Sequence, residues 1–139
     1  MKGPIQSVEV SYLVQATEDG ARLGEAVTGL FGPLGEALSE ELEGHFGNKI
    51  LRVSYHATGQ EAGLAFETLL SKMDQGLKRV LRDELPSHLD ERSALYLRLD
   101  KQEMVLGHLA LGESDAIRMR FKLEAKGMEA EAMVRECLT

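Results

Sequence analysis

The sequence predicts a single α+β domain, and three observations lead to that class. Apolar and polar residues alternate in four stretches, which is the period of a strand with one buried face. Other stretches repeat apolar residues at helical spacing. The 139 residues contain no linker, internal repeat or low-complexity tract, so residues 1–139 are assigned to one domain. The predicted order is β-α-β-β-α-α-β-β-β-α.

The first part of that order has the rhythm of a split βαβ, ferredoxin-like unit. Residues 6–16 alternate as a strand, and Thr17 offers an N-cap for a helix that ends at Gly32-Pro33. Residues 35–43 fit either a short helix or an acidic edge strand. Residues 49–57 alternate again and predict a strand.

The second part predicts helices on one face of a mostly antiparallel sheet, which a C-terminal meander extends. Asp74 is placed to cap the second of two consecutive helices. The predicted elements are helices at 58–73 and 74–85, strands at 93–100, 103–111 and 116–125, and a final helix that buries Ala130, Met133, Val134 and Cys137.

A short loop with an unusual composition, GHFGN at residues 44–48, separates the acidic segment from the strand that follows it. Glycine and asparagine tolerate positive φ, so the segment predicts a hairpin loop. We expect a positive φ at Gly47 or Asn48. His45 and Phe46 are not needed for a turn.

Composition and motifs restrict the function. The one cysteine allows no intramolecular disulfide and favours a reducing compartment. The start of the sequence lacks a signal-peptide pattern and no apolar run approaches ~20 residues, so we expect a cytoplasmic protein without a membrane span. No P-loop, GxGxxG or GxSxG motif is present, and the four histidines lack metal-ligand spacing. We therefore expect no catalytic residue, cofactor or metal.

The charges suggest a local surface rather than a general affinity. The net charge of −7 argues against wholesale binding to nucleic acid, which depends on positive charge. Several cations nevertheless project from the polar faces of predicted strands, where Tyr96 offers a ring for base stacking. The alternative is that they only keep the sheet soluble. These cations are Arg52, Arg98, Arg118, Arg120 and Lys122, with His56 beside Arg52.

Four segments resemble a known family when they are taken together: QATED, ELEGHFGNKI, HLDERSALYLRLDKQ and SDAIRMRFKLEA. In order and spacing they resemble small archaeal RNA-binding proteins described as predicted exosome subunits. The resemblance covers nearly the whole chain and is most specific in the EGH-aromatic-GN loop and in LYLRLDKQ. It implies a fold similar to the ribosomal protein that docks the small RNA of the large subunit.

The resemblance implies a non-catalytic RNA-binding accessory protein of RNA processing, with RNA and exosome components as partners. Lys101, in LYLRLDKQ, joins the candidate RNA contacts on this ground. His45 and Phe46 have two interpretations, because they either fold back onto the core or present an imidazole and a ring to RNA.

A protein-interaction module is the alternative function. In that case the sheet docks a partner subunit or a second copy of the chain. The predicted strand at 103–111 supports this alternative because it is too apolar for a strand with one wet face. A homodimer through that region is compatible with both functions.

Overall fold

A computed structural model describes residues 5–32 and 34–139, and their strands form one five-stranded antiparallel sheet in the order β2-β3-β1-β5-β4. The predicted α+β class is confirmed. The elements are β1 (Ile5–Val14), α1 (Gly20–Phe31), β2 (Leu38–Glu43), β3 (Lys49–Thr58), α2 (Gly59–Lys72), α3 (Gln75–Asp83), α4 (Leu85–His88), β4 (Ala94–Leu99), α5 (Lys101–Val105), β5 (Ile117–Leu123) and α6 (Met128–Cys137).

The core lies between the helices and one face of the sheet. Alternation along each strand sends every second side chain inward, and Leu97, Leu99, Met119 and Phe121 are buried in this way. The ring of Phe121 packs edge-on against Phe66 of α2, with 5.1 Å between the ring centroids. The other face of the sheet is left to solvent and carries polar side chains.

Helix ends follow local capping chemistry. Asp19, not Thr17, caps α1, because its carboxylate accepts a hydrogen bond from the backbone N–H of Arg22 at 3.2 Å. The helix ends at Gly32, whose φ of 73° favours glycine, while Pro33 lies outside the described residues. Asp74 caps α3 as predicted, accepting from the N–H of Leu77 at 2.8 Å.

The acidic segment is an edge strand, β2, rather than a helix. Among the described strands it pairs with β3 alone, and the loop between them is the predicted hairpin loop. The N–H of Gly44 donates to the carbonyl of Asn48 at 2.7 Å, and the N–H of Gly47 donates to the carbonyl of Gly44 at 3.0 Å. Gly47 has a φ of 77°, so the expected positive φ is confirmed at that residue.

The strand predicted at 103–111 is wrong. The segment begins with α5, because the carboxylate of Asp100 accepts a hydrogen bond from the N–H of Glu103 at 2.9 Å and so caps a helix. Within the segment Met104 is buried and Leu106 is 65% exposed. Leu111 forms an isolated bridge with Leu99.

This correction changes how the sheet is extended. With no strand at 103–111, β5 enters the sheet beside β1, and β4 pairs with β5 at the edge. The order β2-β3-β1-β5 is compatible with a ferredoxin-like core. The strand that extends this core is therefore β4, and its pairing with β5 positions the candidate site.

Candidate nucleic-acid interface

The solvent-facing side of the sheet, here called the open face, arranges polar side chains in rows that cross the strands. One row runs from His56 on β3 through Glu9 on β1 and Arg120 on β5 to Tyr96 on β4. These residues meet because each is directly opposite its neighbour in the register. The predicted strand faces thus bring Tyr96 and Arg120 together.

A second row lies two residues further along the strands. Ser54, Ser11, Arg118 and Arg98 are opposite one another in that order. Lys122 lies on the other side of the first row, opposite Ser7 and Ala94. Arginine therefore occupies both β4 and β5 in the second row, and like charges face each other there.

The open face has a charge opposite in sign to that of the whole chain. On this face the strands carry five cations and two carboxylates, Glu9 and Glu40. Two of the cations, Arg98 and Arg118, are opposite each other. The remaining cations of the five are Arg52, Arg120 and Lys122. The face thus has about three net positive charges, while the chain has −7. Glu84 and Glu113, which come from outside the strands, also border this face.

Tyr96 and Arg120 form a hydrogen-bonded pair on the two strands at one edge of the open face. The Nε of Arg120 donates to the Tyr96 hydroxyl at 2.9 Å, and its guanidinium carbon lies 5.8 Å from the ring centroid. The hydrogen bond to Tyr96 raises the pKa of Arg120, which therefore stays charged. Tyr96 remains accessible to solvent, since the residue is 43% exposed.

Asp90 supports this pair from the turn before β4. Its carboxylate accepts from the N–H groups of Ala94 at 2.8 Å and Arg92 at 2.9 Å. The hydrogen bond from Ala94 is the largest cause of the lowered pKa of Asp90, and the Tyr96 hydroxyl and the charge of Arg120 add to it. The carboxylate therefore stays ionised and holds the turn that leads into β4.

Arg98 and Arg118 differ from Arg120 in having weak protein partners. Arg98 donates from Nη1 to the carbonyl of Glu113 at 3.4 Å, at the long limit for such a bond. In residues 5–32 and 34–139, no hydrogen bond or ion pair involves the side chain of Arg118. Both guanidinium groups are exposed and available to a ligand.

Arg52 and Lys101 have protein partners of very different kinds. Arg52 is exposed on β3 and forms an ion pair with Glu40 at 3.1 Å, a contact that solvent weakens. Lys101 is away from the open face. Its ammonium is buried and contacts Glu18 at 3.0 Å, Asp115 at 2.8 Å and the carbonyl of Leu13. With these three protein partners, the ammonium of Lys101 is not free to contact RNA.

The hairpin loop between β2 and β3 presents two rings to solvent. Phe46 is 91% exposed, and His45, also exposed, meets it edge-on with 4.9 Å between the ring centroids. Their interpretation as core residues is wrong. A freely exposed phenylalanine offers a ring for contact with another molecule.

A groove of about 610 Å³ lies on the open face and is bounded on one side by α4 and on the other by the Gly112–Glu113 segment. Sequence analysis missed both walls. His88 of α4 fixes its wall, because its Nδ1 lies 3.0 Å from the carbonyl of Tyr96 and its Nε2 lies 3.8 Å from Glu84. The lining includes Tyr96, Arg98, Arg118 and Arg120 together with the acids Glu9, Glu84 and Glu113.

Other chemical features are sparse in the part of the chain that the structure describes. It contains no group of three or more histidine, cysteine, aspartate and glutamate side chains placed to hold a metal. None of its helices has the length and apolar character needed to cross a membrane. Cys137 of α6 is half-buried, and that burial raises the pKa of its thiol, which makes it a poor nucleophile.

Comparison with known proteins gives consistent matches along the chain. A family model named RNA_binding and described as RNA binding matches residues 7–123. RNA-binding protein PAB1135 of Pyrococcus abyssi is 32% identical over 150 aligned positions, which cover 97% of this chain and 94% of that protein.

Solved structures match in fold. Protein SSO0741 from Sulfolobus solfataricus, assigned to DUF54, superimposes with a TM-score of 0.83 at 24% identity, over 95% of this chain and 96% of that one. Protein AF2318 from Archaeoglobus fulgidus, also assigned to DUF54, has a TM-score of 0.79 at 27% identity, over 96% and 99% of the two chains. The first of these likenesses shows the fold alone.

Proposed function

Because the chain belongs to the RNA_binding family, whose model spans residues 7–123, we propose that it is a non-catalytic RNA-binding accessory protein of RNA processing or degradation. PAB1135, a relative of similar length, is named an RNA-binding protein, which supports this role. The resemblance of four segments to archaeal proteins described as predicted exosome subunits supports association with exosome components.

One observation carries the proposal: the open face reverses the charge of the chain and displays an aromatic ring. Phosphate groups contribute most of the affinity in RNA recognition, and arginine and lysine bind them. Here the cations project from adjacent strands, and Tyr96 lies among them. This combination of cations and a stacking ring is typical of sheets that bind single strands.

The proposed contacts divide by chemistry. Arg118, Arg120 and Lys122 alternate along β5 and follow the phosphates of one strand. Tyr96 stacks a base, because its ring is accessible while its hydroxyl is held by Arg120. Contacts of this kind depend little on base identity, so they predict weak sequence preference.

The net charge limits the strength of this interaction. At −7 the chain repels RNA at long range, and binding depends on few, local contacts. Each phosphate neutralised on a single strand contributes about −0.7 to the slope of log K against log salt. With about three to four contacts the slope is expected near −2 to −3.

Titration of fluorescently labelled single-stranded RNA at several salt concentrations tests the proposal. Replacing Arg118 and Arg120 by alanine should flatten the slope by about 1.4, because two phosphates lose their partners. Circular dichroism should show an unchanged fold, since both side chains lie on the open face. Absence of binding by the wild-type protein at low salt, or a full slope in the double variant, refutes the proposed function.

The alternative function, docking of a partner or a second copy through the sheet, has lost its main support. The apolar strand expected at 103–111 is replaced by α5, in which Met104 is buried within the chain's own core. Sedimentation of the free protein in the same buffers measures self-association. A dimer whose formation masks the open face would favour the alternative.

A further inference from the structure

The arginine pair formed by Arg98 and Arg118 has a geometry that a soluble sheet normally avoids. The two residues are directly opposite on β4 and β5. Like charges in that relation repel each other and destabilise the strand pair. An uncharged residue at either position would remove this repulsion and stabilise the strand pair. The presence of both arginines therefore indicates a role in binding.

The hydrogen-bond pattern places the two side chains on the closer type of strand pair. The carbonyl of Arg98 accepts from the N–H of Gly112, and the carbonyl of Tyr96 lies against His88, so both point away from β5. Arg98 and Arg118 therefore form a non-hydrogen-bonded pair. In such pairs the Cα atoms are about 4.5 Å apart and the side chains approach most closely.

In the described ranges, which omit residues 1–4 and 33, no ion pair joins a carboxylate to either arginine. Their neighbours in the row are Ser11 and Ser54. Glu9, Glu84 and Glu113 line the same groove without pairing to them. Two adjacent, exposed guanidinium groups are suited to share one anion, because each presents a planar set of N–H donors.

We propose that Arg98 and Arg118 together form a binding site for a single phosphate group, and that its natural ligand is one phosphodiester of a single-stranded RNA. The assignment of RNA as the ligand rests on the proposed function; the anion site itself does not.

The adjacent row gives the bound strand an orientation. Tyr96 is two residues from Arg98 along β4, which corresponds to about 6.8 Å. Phosphate and base are separated by a similar distance within one nucleotide. A phosphate held by the arginine pair thus allows the base of the same nucleotide to stack on Tyr96, where the pair with Arg120 holds the ring in place.

Thermal unfolding with inorganic phosphate tests the anion site without RNA. Phosphate also stabilises proteins by exclusion from their surface. The measured quantity is therefore the rise in melting temperature that phosphate causes in the wild-type protein minus the rise that it causes in the R98Q/R118Q variant. At ten times the dissociation constant we expect an excess of about 5 °C over matched chloride. R52Q, which removes another open-face arginine, should keep the wild-type excess.

RNA titration tests whether the pair shares one phosphate. If it does, R98Q, R118Q and the double variant each flatten the salt slope by about 0.7, because only one phosphate contact exists to lose. Independent contacts would instead give about 1.4 in the double variant.

The outcomes separate this inference from the proposed function. No excess stabilisation by phosphate, or additive slope changes while RNA still binds, overturns the shared site and leaves the proposed function standing. The opposite outcome is a protein that binds no RNA but whose melting temperature shows the excess rise with phosphate, lost in R98Q/R118Q. It supports the anion site and refutes the proposed function.

Discussion

Lys101→Met separates a structural lysine from an RNA-binding one. In the structure the ammonium of Lys101 lies between the carboxylates of Glu18 and Asp115 and contacts the carbonyl of Leu13. It thereby ties the end of β1 and the start of α1 to α5 and to the turn before β5. Methionine keeps most of the apolar stem and removes the charge.

The expected loss follows from what the substitution leaves behind. Removing one partner of a buried ion pair costs about 3–5 kcal/mol when the other charge stays buried. Here the Lys101 side chain is 5% exposed, but those of Glu18 and Asp115 are 27% and 43% exposed. Water partly solvates the abandoned carboxylates, so we expect a loss of about 2–3 kcal/mol in the free energy of unfolding.

Urea denaturation measures this loss, and Lys122→Met provides the matched control. Lys122 is exposed on the open face, so its replacement should change stability by less than about 0.5 kcal/mol. The RNA assay should give the opposite pattern. Lys122→Met is expected to flatten the salt slope by about 0.7, and Lys101→Met to leave it unchanged wherever the protein is folded.

Two results would refute this reasoning. A Lys101→Met variant with wild-type stability would mean that the buried contacts contribute no net stability. A variant that folds normally but loses part of its salt slope would return Lys101 to the RNA interface.

Three further predictions concern the core, the stacking ring and the turn before β4. Phe121→Ala should cost about 3–5 kcal/mol in urea denaturation, because it opens a cavity beside Phe66; a loss below about 1 kcal/mol would contradict the burial of β5. Tyr96→Ala should weaken RNA binding by about 1–3 kcal/mol with no change in salt slope, while Tyr96→Phe keeps the ring and most of the affinity. The pKa of Asp90 is lowered in the folded protein, so its carboxylate stabilises the fold at pH values above its ordinary pKa of 3.8 and loses this effect as the pH falls through the lower folded-state pKa. The free energy of unfolding of the wild type should therefore exceed that of Asp90→Asn by a constant amount near neutral pH, and by less in acid. A difference that grows in acid would contradict the direction of the pKa shift.

The sequence predicted most strands because alternation is a local property. The inward set that includes Leu97 and Phe121 follows from period two alone. The error at 103–111 arose where apolar composition was given more weight than capping. Asp100 followed by Glu103 is a helix-start pattern, and an apolar run of that length fits a short helix as well as a strand.

The candidate site was predictable only in part. Alternation assigned Arg98, Arg118 and Arg120 to polar faces, but it did not say which strands are neighbours. The opposition of Arg98 and Arg118 depends on the register between β4 and β5. The burial of Lys101 depends on tertiary contacts such as the one with Glu18, which is more than eighty positions away in the sequence. Such properties arise from tertiary packing.

The distribution of charge makes the proposed binding one-sided. About three net positive charges lie on the open face, so the rest of the chain carries about ten net negative charges and repels phosphate. RNA that approaches the helical side therefore meets a net negative surface, whereas a strand placed along β4 and β5 meets Arg98, Arg118, Arg120 and Lys122. The acids at the groove margins, Glu84 and Glu113, oppose a wide, densely charged duplex more than a single narrow strand. Weak, oriented contact with an unpaired strand suits a protein that holds RNA while another component acts on it.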